Sequence, residues 1–157
     1  MTASICGPGC GFPLFLHVFG AIVLVGAIAT VAIVTWFSLR RPLEQARVLR
    51  RMAFTTMLAV VWPGWLAMRL AGQWVLSQDL YSGIEKSDPG WLGVGFIVGD
   101  LGVLVLLIST ILAWFAYRRT RPEQPKPVTA PIFAGLTTLY LAALAVAWFA
   151  MSGKPGA

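Results

Sequence analysis

Four long apolar segments divide the chain, at about residues 12–39, 52–76, 91–117 and 129–151. Each is long enough to cross the hydrocarbon core of a bilayer, about 30 Å thick, as an α-helix. The apolar residues run continuously instead of alternating with polar ones, which is not the pattern of a transmembrane β-strand. The sequence therefore predicts a single all-α membrane domain, a bundle of four transmembrane helices.

The polar segments between these spans predict how the chain is threaded through a membrane. Segments 40–51 and 118–128 are basic and hold nine of the twelve Lys and Arg residues, whereas segment 77–90 is acidic and rich in turn residues. Basic loops stay preferentially on the cytoplasmic side. We therefore predict that both basic segments are cytoplasmic and that the 77–90 loop and both termini face outward.

Composition supports a membrane protein and explains the positive net charge. The chain is 58% hydrophobic and 11% charged, with a mean hydropathy of +0.79, which leaves too few charges to cover a soluble domain. The net charge of +6 comes from cations that flank spans, so we predict no nucleic-acid partner. We expect the lipid bilayer of a bacterial cytoplasmic (inner) membrane. We expect no cleaved signal peptide, because the apolar N-terminal segment has no basic residues before it.

Two local features accompany the second span. Segment 40–51 is either a simple topology anchor, which we favour, or a short amphipathic helix lying on the membrane surface and attracted to anionic lipid. Pro63 removes a backbone hydrogen bond inside the span, which predicts a kink in that helix.

Two ionisable residues lie inside apolar segments, Arg69 in the second span and Asp100 in the third. A rise of 1.5 Å per residue places them roughly 10 and 13 Å from the outer ends of their spans. Because a lone charge at this depth is costly, we predict a buried Arg69–Asp100 pair across the 77–90 hairpin, in the outer leaflet. The pair could fix helix register only, or belong to a functional site. The alternative is an Arg69 that extends unpaired toward the outer interface.

Trp62, Trp65, Arg69 and Gln73 recur at spacings of three and four, so they share one face of the second span. A stripe of two indoles, a guanidinium and an amide could line a pocket for a flat anionic ligand. It could equally be a packed helix–helix interface, which we favour.

The remaining candidate ligands lie near the N-terminus. His17 is the single histidine, and imidazole inside a span is either a hydrogen-bonded residue or a ligand of haem or metal. The count excludes two histidine ligands to one haem within one chain. Cys6 and Cys10 could form a disulfide on the oxidising outer side, or a soft-metal site with His17. We assign no catalytic residue, because no nucleophile–base pair or nucleotide-binding motif is present.

Small residues at spacings of four predict close helix packing. They form two pairs, Gly95 with Gly99 and Gly26 with Thr30. These pairs could pack helices within one chain or join chains, so a homo-oligomer or a larger membrane complex is open.

Several stretches together resemble a known group of proteins: LHVFGAIVLVGAIAT in the first span, RRM before the second, Pro63 followed by LAGQWV, and DPGWLGVGFIV opening the third. The pattern, over about residues 14–118, resembles an uncharacterised group of bacterial integral membrane proteins. That group is similar to the copper-resistance D proteins and to the haem-containing, HemJ-type protoporphyrinogen oxidases. In the haem-containing relatives the histidine of the first span is the proposed axial ligand, which implies that role for His17.

Three functions follow as expectations. The first is an accessory or binding subunit with a buried polar site in the outer leaflet. The second, implied by the resemblance, is a haem-b oxidoreductase with His17 as axial ligand and Arg69 holding an anionic group such as a propionate. The third is a copper-handling membrane protein.

Overall fold

The computed structural model describes residues 11–77, 90–120 and 127–153. They form five α-helices, which are α1 (Gly11–Ser38), α2 (Leu43–Thr56), α3 (Trp62–Ser77), α4 (Gly90–Arg118) and α5 (Thr129–Gly153). A π-helical turn, Met57–Val61, joins α2 and α3 into one continuous helix. Four helices are thus long and apolar enough to cross a membrane. The predicted fold class, an all-α bundle of four transmembrane helices, is confirmed.

The second long helix begins at Leu43, nine residues before the predicted start of its span at residue 52. Pro42 precedes its first turn, and residues 43–56 contain neither glycine nor proline, so the helix has no reason to stop before the apolar segment. The idea of a separate helix lying on the membrane surface is corrected, because α2 continues into the span. The cationic residues 40–51 include the first two turns of that helix.

The irregularity predicted at Pro63 takes the form of the π turn. Proline has no N–H and so donates no bond to the preceding turn of helix. One residue earlier, the Trp62 N–H donates to the Met57 carbonyl, a bond that spans five residues instead of four. The chain stays helical through this point.

The bundle core lies between α1, the long second helix, α4 and α5. α1 packs on α2, the π turn, α3 and α5, while α4 packs on α5 and α2. Fully buried residues from all four helical bodies meet there: Leu24, Ile28, Val31, Met57, Val61, Leu106 and Phe133. Hydroxyl side chains in the helices bond back to carbonyls one turn earlier, as Thr35 does to Val31, so they add little polarity to the core.

The backbones of α1 and α3 approach each other closely at two glycines. A Cβ added at Gly20 would lie 2.5 Å from the Met68 backbone nitrogen, and one at Gly64 would lie 3.3 Å from the Leu24 nitrogen. By contrast, a Cβ at Gly26 or Gly99 would meet open space. Gly20 and Gly64, which lie outside the predicted small-residue pairs, thus bring α1 and α3 together, whereas Gly26 and Gly99 bring no helix close.

The described cationic residues of both basic segments, within 40–51 and 118–119, lie at one end of the bundle, which we call the basic end. Arg50 of α2 donates hydrogen bonds to Ser38, at the last turn of α1, and to Thr120, just after α4. The basic end therefore contains the C-terminal ends of α1 and α4 and the start of α2. The opposite end, called the distal end, contains the start of α1, the end of α3 and the start of α4.

Candidate functional site

An ion pair between α3 and α4 lies in the distal half of the bundle. Arg69 Nη2 contacts Asp100 Oδ1. Counted from Val75 and Gly93, the distal ends of the two apolar spans, the two residues lie about 9 and 10 Å inside. The structure thus brings together the two span residues whose charges needed a partner.

The pair is not buried within the single chain, which corrects the sequence-based expectation. The Arg69 side chain is 24% exposed and the Asp100 side chain 57%. Asp100 lies on the outer face of α4, where its neighbours Ile97, Leu101 and Leu104 are also exposed. Counting residues along the span predicts the depth of Asp100 in the membrane, but it does not predict which face of α4 the residue lies on.

Two more side chains complete the surroundings of the Arg69 guanidinium. With its amide oxygen turned toward Arg69, Gln73 accepts hydrogen bonds from Nη1 and Nη2, each at 3.1 Å. The Phe96 ring lies 5.4 Å from the guanidinium carbon, within the range of a cation–π contact. The guanidinium is therefore held by a carboxylate, an amide and an aromatic face, which suits a cation that cannot lose its charge.

The two tryptophans of the α3 stripe fill the space between α3 and α4. Trp62 Nε1 donates to Thr110 Oγ1 at 3.1 Å, and Trp65 Nε1 donates to the Gly99 carbonyl at 3.2 Å. The two indole rings meet edge to face, with centroids 6.0 Å apart. Both N–H donors are satisfied by α4, so these side chains form an interface between helices, and they hold α4 at the distance at which Arg69 reaches Asp100.

His17 of α1 packs against the face of α3 that is directed toward α1. Its Nδ1 is 2.7 Å from the Met68 carbonyl oxygen. Because a carbonyl oxygen only accepts, Nδ1 carries the hydrogen, and in neutral imidazole Nε2 then has a free lone pair. A Cβ at Gly72 would lie 2.9 Å from Nδ1, so the absence of a side chain there lets the ring lie against α3.

The predicted ligands are only partly described. Cys6 and Cys10 lie outside the described residues. Within residues 11–77, 90–120 and 127–153, no group of three His, Cys, Asp or Glu side chains is placed to hold a metal ion. His17 of α1 contacts the face of α3 that packs on α1, whereas Arg69 of α3 is directed toward α4, so the structure does not join them in one cluster.

Known proteins add no constraint to this geometry. No protein-family model matches this chain, and neither does any curated protein or solved structure. The resemblance to the copper-resistance D and haem-containing oxidase group therefore stays a prediction.

Sequence reasoning missed Arg50, which is 2% exposed. Its Nε donates to Ser38 Oγ at 3.3 Å and its Nη1 to Thr120 Oγ1 at 2.7 Å. From the sequence, Arg50 is one of five arginines in segment 40–51, which predicts only a role in topology. The spacing of Ala46, Arg50 and Ala53 on one face of an otherwise charged helix was the clue to its burial.

A second unexpected feature is an apolar cavity of about 210 Å³ between α4 and α5. Tyr140 lines it from α5, and its hydroxyl has no hydrogen-bond partner among the described residues. The hydroxyl occupies the space where Gly102 of α4 lacks a side chain. It is covered by α4, so it does not present a polar group to the cavity.

Proposed function

We propose that this protein is a membrane-embedded binding subunit that docks another membrane-spanning segment against the outer face of α4, around Asp100. The supporting observation is the exposure of a charged carboxylate, 57%, on a helix face that is otherwise apolar. Carboxylates inside spans almost always face a bundle interior or a water-filled cavity. The single chain leaves Asp100 facing outward, so a neighbouring segment is needed to cover it.

The chemistry of the pair indicates what that segment carries. Arg69 and Asp100 together are neutral, so an additional cation is not required. An ionised carboxylate has about four acceptor positions, and a single guanidinium contact leaves acceptor capacity for a further donor. A neutral donor such as a Ser, Thr, Asn or Gln side chain at matched depth, flanked by small or apolar residues, suits this face. A second copy of the chain and a different membrane protein are the two sources of such a segment.

Site-specific photo-crosslinking in cells tests the proposal. A photoreactive amino acid at Leu104, one turn from Asp100 and exposed, should give one discrete crosslinked species. The matched control is Ile22 of α1, which is exposed as well and lies at a similar depth from the distal end, on a helix that does not pack on α4 in the way α5 does. We expect the Leu104 crosslink to disappear in Asp100→Leu and to weaken in Asp100→Asn, which keeps the shape and an acceptor oxygen.

The mass of the crosslinked product distinguishes a second copy from a different protein. Equal crosslinking at Leu104 and Ile22, or a Leu104 crosslink that persists in a folded Asp100→Leu variant, would contradict the proposal. Retention of the fold is checked by thermal unfolding of each variant in the same detergent.

A second candidate function, a haem-b oxidoreductase, is supported by the tautomer of His17. Histidine ligands of metals commonly donate their other ring N–H to a carbonyl or carboxylate, as Nδ1 does here to Met68. The Nε2 lone pair fits an axial ligand, and the haem would supply the redox chemistry. The propionate role for Arg69 fits less well, because Asp100 already neutralises that guanidinium.

The visible spectrum of the purified protein separates the two candidates. A Soret band that is lost in His17→Ala, and kept in Asp100→Leu, would favour the haem protein. A colourless protein, even after incubation with haem, would remove it. Copper analysis of the same sample tests the copper-handling alternative, which depends on Cys6, Cys10 and His17.

A further inference from the structure

A cluster of aromatic rings joins α2 to α4 at the basic end. The Phe54 ring of α2 lies 5.2 Å from the Trp114 ring and 6.4 Å from the Tyr117 ring, measured between centroids. Trp114 and Tyr117 lie one turn apart on α4, with centroids 6.4 Å apart. Aromatic residues of this kind concentrate where a membrane meets water. These three rings, which we call the aromatic platform, mark the level of the lipid headgroups on this side of the bundle.

Exposed guanidinium groups lie on and beside this platform. The Arg118 guanidinium carbon is 4.4 Å from the centre of the Trp114 ring, a close cation–π contact. Arg51 precedes Phe54 by three residues, and Arg47 precedes Arg51 by four, so both lie on the platform's side of α2. Within the described part of the chain, neither Arg51 nor Arg118 forms an ion pair. The stacked guanidinium is therefore preorganised and has donors free for an anion.

Apolar surface continues from the platform toward the middle of the membrane. Leu58 follows Phe54 by one turn of α2 and the π turn, and Ile111 precedes Trp114 by one turn of α4. Both side chains are about half exposed. A ligand with a charged head and apolar tails would place its head on the arginines and its tails on these residues. A free inorganic anion would use only the first part of this surface.

We propose that Arg51 and Arg118, supported by the aromatic platform, bind the phosphate of an anionic phospholipid whose acyl chains lie along Leu58 and Ile111. Guanidinium groups bind phosphate oxygens through paired hydrogen bonds, and basic clusters at helix ends attract anionic lipid. The surface is distinct from the Arg69–Asp100 pair, which lies in the distal half of the bundle. The proposal therefore does not depend on the proposed docking at α4.

The test compares two double variants with the same change of charge. Arg51→Gln/Arg118→Gln removes both cations of the site. Arg40→Gln/Arg41→Gln removes two exposed cations at the same end, near the end of α1 and away from the platform. Binding of phosphatidylglycerol and of phosphatidylcholine to purified protein in detergent is measured by native mass spectrometry. Thermal unfolding of each variant checks that it is folded.

We expect the parent protein to prefer phosphatidylglycerol to phosphatidylcholine. The affinity for phosphatidylglycerol should fall about tenfold or more in the site variant, and by less than about twofold in the control. Arg118→Lys should be intermediate, because lysine keeps the charge but loses the planar guanidinium. Equal losses in the two double variants would mean general attraction to charge and overturn the proposal. Displacement of the lipid by an equal concentration of inorganic phosphate would also overturn it.

Discussion

At the scale of single residues, the Arg69–Asp100 pair is the contact with the clearest energetic consequence. Arg69→Leu and Asp100→Leu each leave one charge facing apolar surroundings. Each should lower the free energy of unfolding by about 1–3 kcal/mol, less than the cost of breaking a fully buried pair, because both side chains are partly exposed. The double variant should recover at least about 0.5 kcal/mol of the summed loss. Unfolding in detergent measures all three variants, and strict additivity would show that the two side chains do not interact.

Gly72 gives a second prediction at this scale. In Gly72→Ala the new methyl group would lie 2.9 Å from His17 Nδ1, so the imidazole must shift and its bond to the Met68 carbonyl must weaken. We expect a net loss of stability of about 1–2 kcal/mol, after allowing for the better helix propensity of alanine.

Gly26→Ala is the matched control for Gly72→Ala, since it meets open space in α1. It should be neutral or stabilising by up to about 1 kcal/mol. The melting temperature should therefore fall in Gly72→Ala and stay unchanged or rise in Gly26→Ala. A similar shift for both would mean that the contact of Gly72 with His17 carries no energy.

The sequence predicts a residue contact where the depth of each residue along its helix is sufficient to identify its partner. Arg69 and Asp100 are at matched depth, and their pairing follows from the cost of a lone charge. The partner of His17 could not be foreseen, because it is a backbone carbonyl of another helix, brought near by Gly72 and Gly20. The exposure of Asp100 was also hidden, because the rotation of α4 about its axis depends on the tryptophans that separate it from α3.

At the scale of elements, Arg50 connects α2 to the ends of α1 and α4. Its donors reach Ser38 in the last turn of α1 and Thr120 just after α4, while those hydroxyls donate onward to the Thr35 and Ala116 carbonyls. Arg50→Met keeps much of the volume but removes every donor. We expect it to cost about 3 kcal/mol, since buried hydroxyl oxygens lose their partner and α2 loses its contact with the ends of α1 and α4.

The neighbouring Arg51→Met provides the control, because Arg51 is exposed and shares the same segment. It should change stability by less than about 0.5 kcal/mol. Unfolding by heat or by sodium dodecyl sulfate measures the stability of both variants. Comparable effects of the two substitutions would mean that burial of Arg50 is not what stabilises the basic end.

The helices themselves were predictable to within a few residues where apolar sequence begins and ends with the helix, as in α1, α4 and α5. The start of the second long helix was not, because polar residues 43–51 are helical without being apolar. Hydropathy indicates which residues can lie in the membrane, whereas a helix extends beyond them until glycine, proline or a turn ends it. The π turn has no characteristic residue types by which to predict it. Pro63 indicates only that the helix departs from regular geometry nearby.

At the scale of the whole molecule, the structure places the described cations of segments 40–51 and 118–119 at one end, and the charge-bias rule predicts that this end is cytoplasmic. In a variant whose native cysteines are replaced by serine, Glu44→Cys at the start of α2 should react with a membrane-impermeant maleimide only after cells are permeabilised. The native Cys6 and Cys10, after mild reduction, should react in intact cells. Labelling of Glu44→Cys in intact cells would reverse the predicted orientation.

The π turn has a further consequence for the whole chain. A turn of five residues in place of four amounts to one inserted residue, and each residue of an α-helix advances the rotation by about 100°. Met57–Val61 therefore sets the rotational phase between α2, which buries Arg50, and α3, which directs Arg69 to Asp100. Deleting the outward-facing Ala59 would restore a regular helix and turn one end out of phase with the other. A single deletion at a site that contacts neither arginine would thus break either the hydrogen bonds of Arg50 or the ion pair of Arg69.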